Sequence, residues 1–296
     1  MLATNSRHNS PCLGVVDTDW HFGAKNANTL LIRVDIIMGI EIDELETVVR
    51  SPALKSWYYR FFGLPHFGSR VRFSKIKNLL SLSSKTKILD IGCGIGSYLN
   101  YACHLSGCSG VGVDRLEDVI TVARRVNNYY KLQNQFVVSD IDNYLSGLTK
   151  QRFDLILCIE VIEHLENPQA VLAKCISILT PQGKLILSVP TAPVHQWLFK
   201  IERDRFSYGV DRHVVDGYTE GTLTNFVKNA NARIVKRVET FKVFGQVLWE
   251  ISEKLRGIKV LYYFIVPVFG LLSRLDDLLS PSGTNNGMIL VVEKDA

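Results

Sequence analysis

Lys87-Ile88-Leu89-Asp90-Ile91-Gly92-Cys93-Gly94-Ile95-Gly96-Ser97 is an apolar run of strand length that ends in three glycines spaced two apart. It reads as a buried strand, a tight turn and a helix that starts at Ser97. Glycine allows positive φ and lets a ligand approach the main chain with no Cβ in the way. Such a turn at the carboxyl end of a parallel strand is where open α/β sheets bind nucleotide-like ligands. Further on, Gly110-Val111-Gly112-Val113-Asp114 is a second short strand ending in a carboxylate. An acid at that tip accepts hydrogen bonds from both hydroxyls of a ribose. The alternative reading of Asp114 is the N-cap of the helix that follows.

The dinucleotide fingerprint G-x-G-x-x-G needs its third glycine where this chain has Ser97. That spacing argues against a nicotinamide-dependent oxidoreductase, which stays as the alternative enzyme class. Strand and helix patterns continue to alternate. Leu116 to Tyr130 is helical, and Gln135-Phe136-Val137-Val138-Ser139-Asp140 is a third strand with an acid at its end. Phe153-Asp154-Leu155-Ile156-Leu157-Cys158 is apolar enough to be buried on both faces. Asn167-Pro168 opens a helix whose apolar face is Val171, Leu172, Cys175, Ile178 and Leu179, and Pro181-Gln182-Gly183 stops it. Lys184 to Val189 is the fifth strand.

Lys87 to Thr191 resembles the class I S-adenosylmethionine-dependent methyltransferases, in particular the methyltransferase type 11 group. The resemblance rests on Asp90-x-Gly92-x-Gly94-x-Gly96, on Asp114 and Asp140, and on the segments FDLILCIEVIEHL and LTPQGKLILSVP. It implies a Rossmann-like α/β fold, a seven-stranded sheet with its last strand antiparallel. The sixth strand is then Arg233 to Phe244 and the seventh Met288 to Glu293. It also implies S-adenosyl-L-methionine as cofactor. The expected contacts are Asp90 on the amino-acid tail, Gly92, Gly94 and Gly96 as the loop, Asp114 on the ribose, and Asp140 and Ile141 at the adenine. Glu160 completes the expected cofactor set. Asp140 taken alone also reads as a plain helix cap. An intact cofactor set argues for binding without proving turnover, so a non-catalytic cofactor-binding protein remains a third reading.

Methyl transfer to a hydroxyl needs alignment, exclusion of water and a base. His164, His213 and Glu163 are the expected catalytic residues, with His195 and Glu160 as further candidate bases; histidine titrates near neutrality. Glu160-x-x-Glu163-His164 is similar to segments of quinone-precursor O-methyltransferases and small-RNA 3′-end methyltransferases that can hold a divalent metal; in the RNA enzymes a distal histidine completes the site, and His213 is the candidate for that place here. Many type 11 enzymes carry the segment with no known metal, and none is expected here. Asp211-Arg212-His213 precedes a helix capped by Thr219, and the resemblance places this segment over the active site.

The chain has 296 residues, 47% of them hydrophobic, and a net charge of +5 without a dense basic run, so nucleic acid is not an expected partner. Its six cysteines show no C-x-x-C pair and no zinc spacing, which fits a reducing cytosol. No secretory pattern and no apolar run of membrane-spanning length is seen. Residues 1–37 read as a disordered tail, with Met38 as a candidate natural start. Residues 38–84 read as a helical cap rich in aromatics, and 85–244 with 287–296 as the methyltransferase domain. Residues 245–286 are a helical apolar insertion before the last strand. Within it Val260 to Phe269 is apolar on all sides and must bury itself. It packs on the N-terminal helices, forms a dimer contact, or lies on a membrane through 258–272. The expected acceptor is a small or lipid-linked molecule methylated at oxygen.

Overall fold

The computed structural model describes residues 67–148, 152–200 and 213–295. The expected tail, the aromatic stretch before Phe67, Asp211 and Arg212 lie outside the described residues. Seven strands form one sheet: β1 Lys87–Ile91, β2 Ser109–Asp114, β3 Gln135–Val138, β4 Phe153–Ile159, β5 Leu179–Pro190, β6 Ala232–Thr240 and β7 Gly287–Lys294. Their order is β3-β2-β1-β4-β5-β7-β6. β7 runs antiparallel to both β5 and β6, and the other neighbours are parallel. The chain reverses its direction of winding between β1 and β4, which makes the carboxyl ends of those two strands the binding crevice.

The helices are α1 Phe67–Ile76, α2 Ser97–Ser106, α3 Glu117–Tyr129, α4 Ile141–Gly147, α5 Pro168–Ser177, α6 Glu220–Asn229, α7 Val243–Leu255, α8 Lys259–Leu272 and α9 Asp276–Leu279. Side chains alternate across each strand, and both faces are covered. Leu89 and Ile91 join Ile156, Leu185 and Leu187 in one core, with Val171, Leu172 and Leu223 from α5 and α6. Ile88, Leu157 and Ile186 join the opposite core, with Leu99 and Ile120 from α2 and α3. Each such buried aliphatic side chain contributes about 1.5–3 kcal/mol.

The expected sixth strand overruns the observed one. β6 stops at Thr240, because Phe241 takes φ 53° and turns the chain aside. Asp276 then accepts hydrogen bonds from the backbone N–H of Lys242 (2.9 Å) and of Gly245 (2.8 Å), which starts α7. The insertion therefore begins at 241. The helix after Pro168 ends at Ser177, and Leu179 belongs to β5. Inside the insertion, α8 buries one side only. Tyr262 and Val266 pack with Phe67, Val71, Phe241 and Leu248. Phe264 is 67% exposed and Leu278 80%, and Leu261, Val268, Leu271 and Leu275 are exposed with them. The contact with α1 is the one expected of an N-terminal helix, but the second face of α8 has no cover among the described residues. No helix there is long and apolar enough to cross a membrane.

Candidate functional site

The glycine loop is built for a close approach. Gly96 has φ 74° and caps α2, and a Cβ on it would stand 2.7 Å from the Phe136 ring. Gly94 has φ 51°, and a Cβ there would meet nothing within 4 Å, so its outer side opens on free space. Asp114 holds this loop from the next strand. Its Oδ2 accepts from Gly94 N (2.9 Å) and its Oδ1 from Leu116 N (3.0 Å). Asp114 is not the N-cap of α3, which is Leu116; its Oδ1 instead turns the backbone just before that helix, and a carboxylate keeps lone pairs for further donors.

Asp90 lies at the end of β1 and is 1% exposed. Leu99 N–H bonds to its carboxylate. Its Oδ2 has no hydrogen-bond partner among the described residues. Burial first, then the charge of Asp114, pushes its pKa up to about 8. A buried carboxylate with an unmatched oxygen is a fit for an ammonium, the group at one end of the amino-acid tail of the implied cofactor. The same α-carbon carries a carboxylate, and a cation stands nearby. Arg72 of α1 pairs with Glu160 Oε2 at 3.3 Å and bonds the Tyr98 side chain. It also lies 5.7 Å from the centre of the Phe241 ring. Sequence reasoning missed Arg72, since its only signal is a basic residue inside an aromatic-rich amphipathic stretch.

Glu160 leaves β4 at φ 55°, a left-handed position that a glutamate adopts at a cost. Ser188 Oγ donates to its Oε1 at 2.8 Å, and Ser188 O accepts from its N–H. With Arg72 on Oε2, Glu160 faces the crevice wall and does not join the residues that follow it. Asp140 is exposed and caps α4, its Oδ1 accepting from Asp142 N at 2.9 Å. Ile141, partly buried, packs on the core beside it.

The three expected catalytic residues do meet. Glu163 and His164 sit on a single turn, Ile162–His164, and His213 comes from a distant segment. Ligand atoms of the three lie within 4.8 Å of one another. The two imidazoles meet edge to face, 4.6 Å between centres. Val214 N donates to Glu163 O at 2.8 Å and fixes the segment that carries His213. Tyr218 reaches under the turn, donating its hydroxyl to Ile162 O at 2.8 Å. Burial, followed by the charge of Glu163, pushes that phenol up to about 12. This trio is the group in the described residues whose spacing suits a cation, and Glu160 is not part of it. His195 stays outside it too: its ring stacks on Trp197, and its backbone N–H donates to Asn286 Oδ1 at 2.7 Å.

Residues 65–237 match a family described as the methyltransferase domain. A ubiquinone biosynthesis O-methyltransferase from Coxiella burnetii is 34% identical over 138 residues, 46% of this chain and 56% of that protein. The chain thus spans about half the length of the curated relatives it matches. A SAM-dependent methyltransferase from Archaeoglobus fulgidus shares the fold at TM-score 0.50 and 18% identity, over 82% of this chain and 100% of that one. A Haemonchus contortus phosphoethanolamine N-methyltransferase 2, solved with S-adenosyl-L-methionine, does so at TM-score 0.54 and 16% identity, over 87% of this chain and 61% of that one.

Proposed function

The chain belongs to the methyltransferase-domain family, the class I S-adenosylmethionine-dependent methyltransferases, and from that premise we propose that it methylates a hydroxyl of a small or lipid-linked acceptor. Oxygen rather than nitrogen is favoured by the gathered histidines, since a neutral amine needs no base and a hydroxyl does. When bound, the cofactor supplies an electrophilic methyl group on sulfur. Asp90 receives the ammonium of its tail and Arg72 the carboxylate. Asp114 accepts from the ribose hydroxyls, and the glycine loop admits the backbone contact. Asp140 accepts from the adenine amine, and Ile141 packs on the ring. Glu160 holds Arg72 in place. His164 or His213 takes the acceptor proton, and Glu163 stabilises the imidazolium that results.

The observation that carries this reading is the unmatched, buried Oδ2 of Asp90 beside a glycine loop tethered by Asp114. Calorimetry with S-adenosylhomocysteine and, separately, NAD tests it: micromolar-range affinity for the first and none for the second is expected. Equal affinities would move the chain to the oxidoreductase reading. Transfer of labelled methyl from S-adenosylmethionine to phenolic acceptors then separates an enzyme from a binding protein.

A second reading of the catalytic trio is a divalent cation at Glu163, His164 and His213, favoured by their 4.8 Å spacing. Unchanged turnover in a chelator supports proton transfer. Loss that manganese restores would favour the cation.

Association with a membrane surface belongs to the same reading. Phe264, Val268 and Leu271 form an exposed apolar stripe at helical spacing on α8, and Leu275 and Leu278 are exposed just beyond its end. Such a stripe lies in the interface plane of a bilayer and does not span it. Co-sedimentation with liposomes, lost on Phe264→Glu with Leu271→Glu, is the expected result.

A further inference from the structure

The backbone that leaves β5 is held by the insertion at several points. Thr191 N donates to Asn286 O at 3.1 Å, and His195 N to Asn286 Oδ1. Beyond them three successive amides converge on one carboxylate. Trp197 N donates to Glu250 Oε1 at 2.9 Å, Leu198 N to Oε2 at 2.7 Å, and Phe199 N to Oε2 at 3.1 Å. Gln246 Nε2 adds a fourth bond, 3.1 Å to Oε1. Glu250 is on α7 and has no exposed surface. A carboxylate is costly to bury unless its lone pairs are filled, and these are. The backbone of 197–199 is thereby fixed while its side chains point outward: Trp197 is 47% exposed and Leu198 54%.

The position of this segment gives it a use. Its first residue, Thr191, pairs with Tyr218, and Tyr218 holds the turn that carries Glu163 and His164. One end thus adjoins the proposed reacting groups, and the other offers an apolar edge. Lys254 Nζ, one turn along α7 from Glu250, covers only one face of Phe199 at 5.6 Å.

We propose that Glu250 is a positioning residue for the acceptor: it fixes Trp197-Leu198-Phe199 as the apolar lip of the acceptor site. The ligand that fits is an amphipathic phenol, its hydroxyl at the histidines and its apolar tail along the lip. This deepens the methyl-transfer reading and rests on it. The insertion between β6 and β7 then acts as a wall of the acceptor site and not as an appendage.

The test uses the full chain, loaded with S-adenosylhomocysteine, and two probes: catechol and a catechol bearing a long alkyl chain. The wild type is expected to bind the alkyl catechol at least about tenfold tighter than catechol. Glu250→Gln places an amide donor against backbone donors; it should abolish that preference and speed hydrogen exchange at 197–199. Its affinity for S-adenosylhomocysteine should stay within about twofold of wild type, which a general loss of structure would not allow. Trp197→Ala with Phe199→Ala, both partly exposed, should abolish the preference while exchange at 197–199 stays slow, and it decides the matter if Glu250→Gln does not fold. A wild type without preference for the tail, or a Glu250→Gln protein that keeps it, overturns the proposal. Failure to bind S-adenosylhomocysteine at all would instead remove the methyl-transfer reading beneath it.

Discussion

The proposed cofactor and acceptor halves of the crevice are assembled in opposite ways. The cofactor half is local: Asp90, the three glycines and Asp114 lie within one strand-turn-helix-strand unit, and 24 residues separate the first of them from the last. The acceptor half is collected from afar. The turn at Ile162–His164 follows β4, His213 arrives from beyond β5, and Glu250 reaches in from the insertion. A local unit is stabilised by bonds its own sequence supplies, such as Gly94 N to Asp114. A collected site depends on the whole sheet holding its ends in register. Changes in the acceptor half should therefore affect turnover and leave cofactor affinity intact, while changes in the cofactor half should affect affinity first.

The largest expected effect is at the histidines. His164→Ala combined with His213→Ala should lower kcat for a phenolic acceptor by about 10²–10⁴-fold, the usual reach of a general base. Affinity for S-adenosylhomocysteine, read by calorimetry, should move by less than about twofold if the halves are separable. A parallel collapse of affinity would break the contrast between them.

Next is Asp114→Ala. In its proposed role this removes two charge-assisted hydrogen bonds to the ribose, about 1.5–3 kcal/mol each, and it frees Gly94 N as well. Cofactor affinity should fall about 100-fold or more in a titration. Retained affinity would mean that Asp114 serves only to hold the glycine loop and the turn before α3.

Asp90 sharpens the same half through pH. Its pKa in the free protein is about 8, and it must be ionised to hold an ammonium. Binding therefore expels a proton, and affinity should rise with pH by up to about tenfold per unit between about pH 6 and pH 8. The free protein should show the opposite trend. A carboxyl raised from 3.8 to about 8 binds more protons folded than unfolded across that window, so stability falls as pH rises through it. In Asp90→Asn both slopes should flatten, measured by calorimetry and by denaturant unfolding.

The same contrast explains what could be read from residues alone. The first five strands were legible from their own residues, most plainly where both-face burial writes a continuous apolar run such as Phe153–Ile159, and the glycine loop because positive φ favours glycine; the sixth and seventh came only through the resemblance. The trio was legible as residue types, its meeting only through the resemblance. Where β6 ends was not, since it depends on Phe241 turning left-handed and on Asp276, 34 residues from Lys242, catching the next amide. Arg72 and Glu250 carry no motif. Their roles come from partners 88 and about 50 residues away, Glu160 for one and the amides of 197–199 for the other. Which side of α8 is covered was not legible for a related reason: an apolar sequence records a preference for burial, and only packing shows which side obtains it.

Tyr218 gives the smallest effect and the finest test of how the acceptor half is held. Tyr218→Phe keeps the ring in the core and removes one bond, hydroxyl to Ile162 O. Stability should drop by about 1 kcal/mol, the net worth of one such bond, as a shift in the denaturant midpoint. The pH dependence should change with it. A phenol held at about 12 keeps its proton in the folded state while the unfolded one loses it from about pH 10, so wild-type stability declines between those values, and the variant should lose that decline. If the turn bearing Glu163 and His164 is held chiefly by Val214 N on Glu163 O, kcat should fall less than about threefold. A larger fall with unchanged cofactor affinity would make Tyr218 the prop on which the placement of His164 depends.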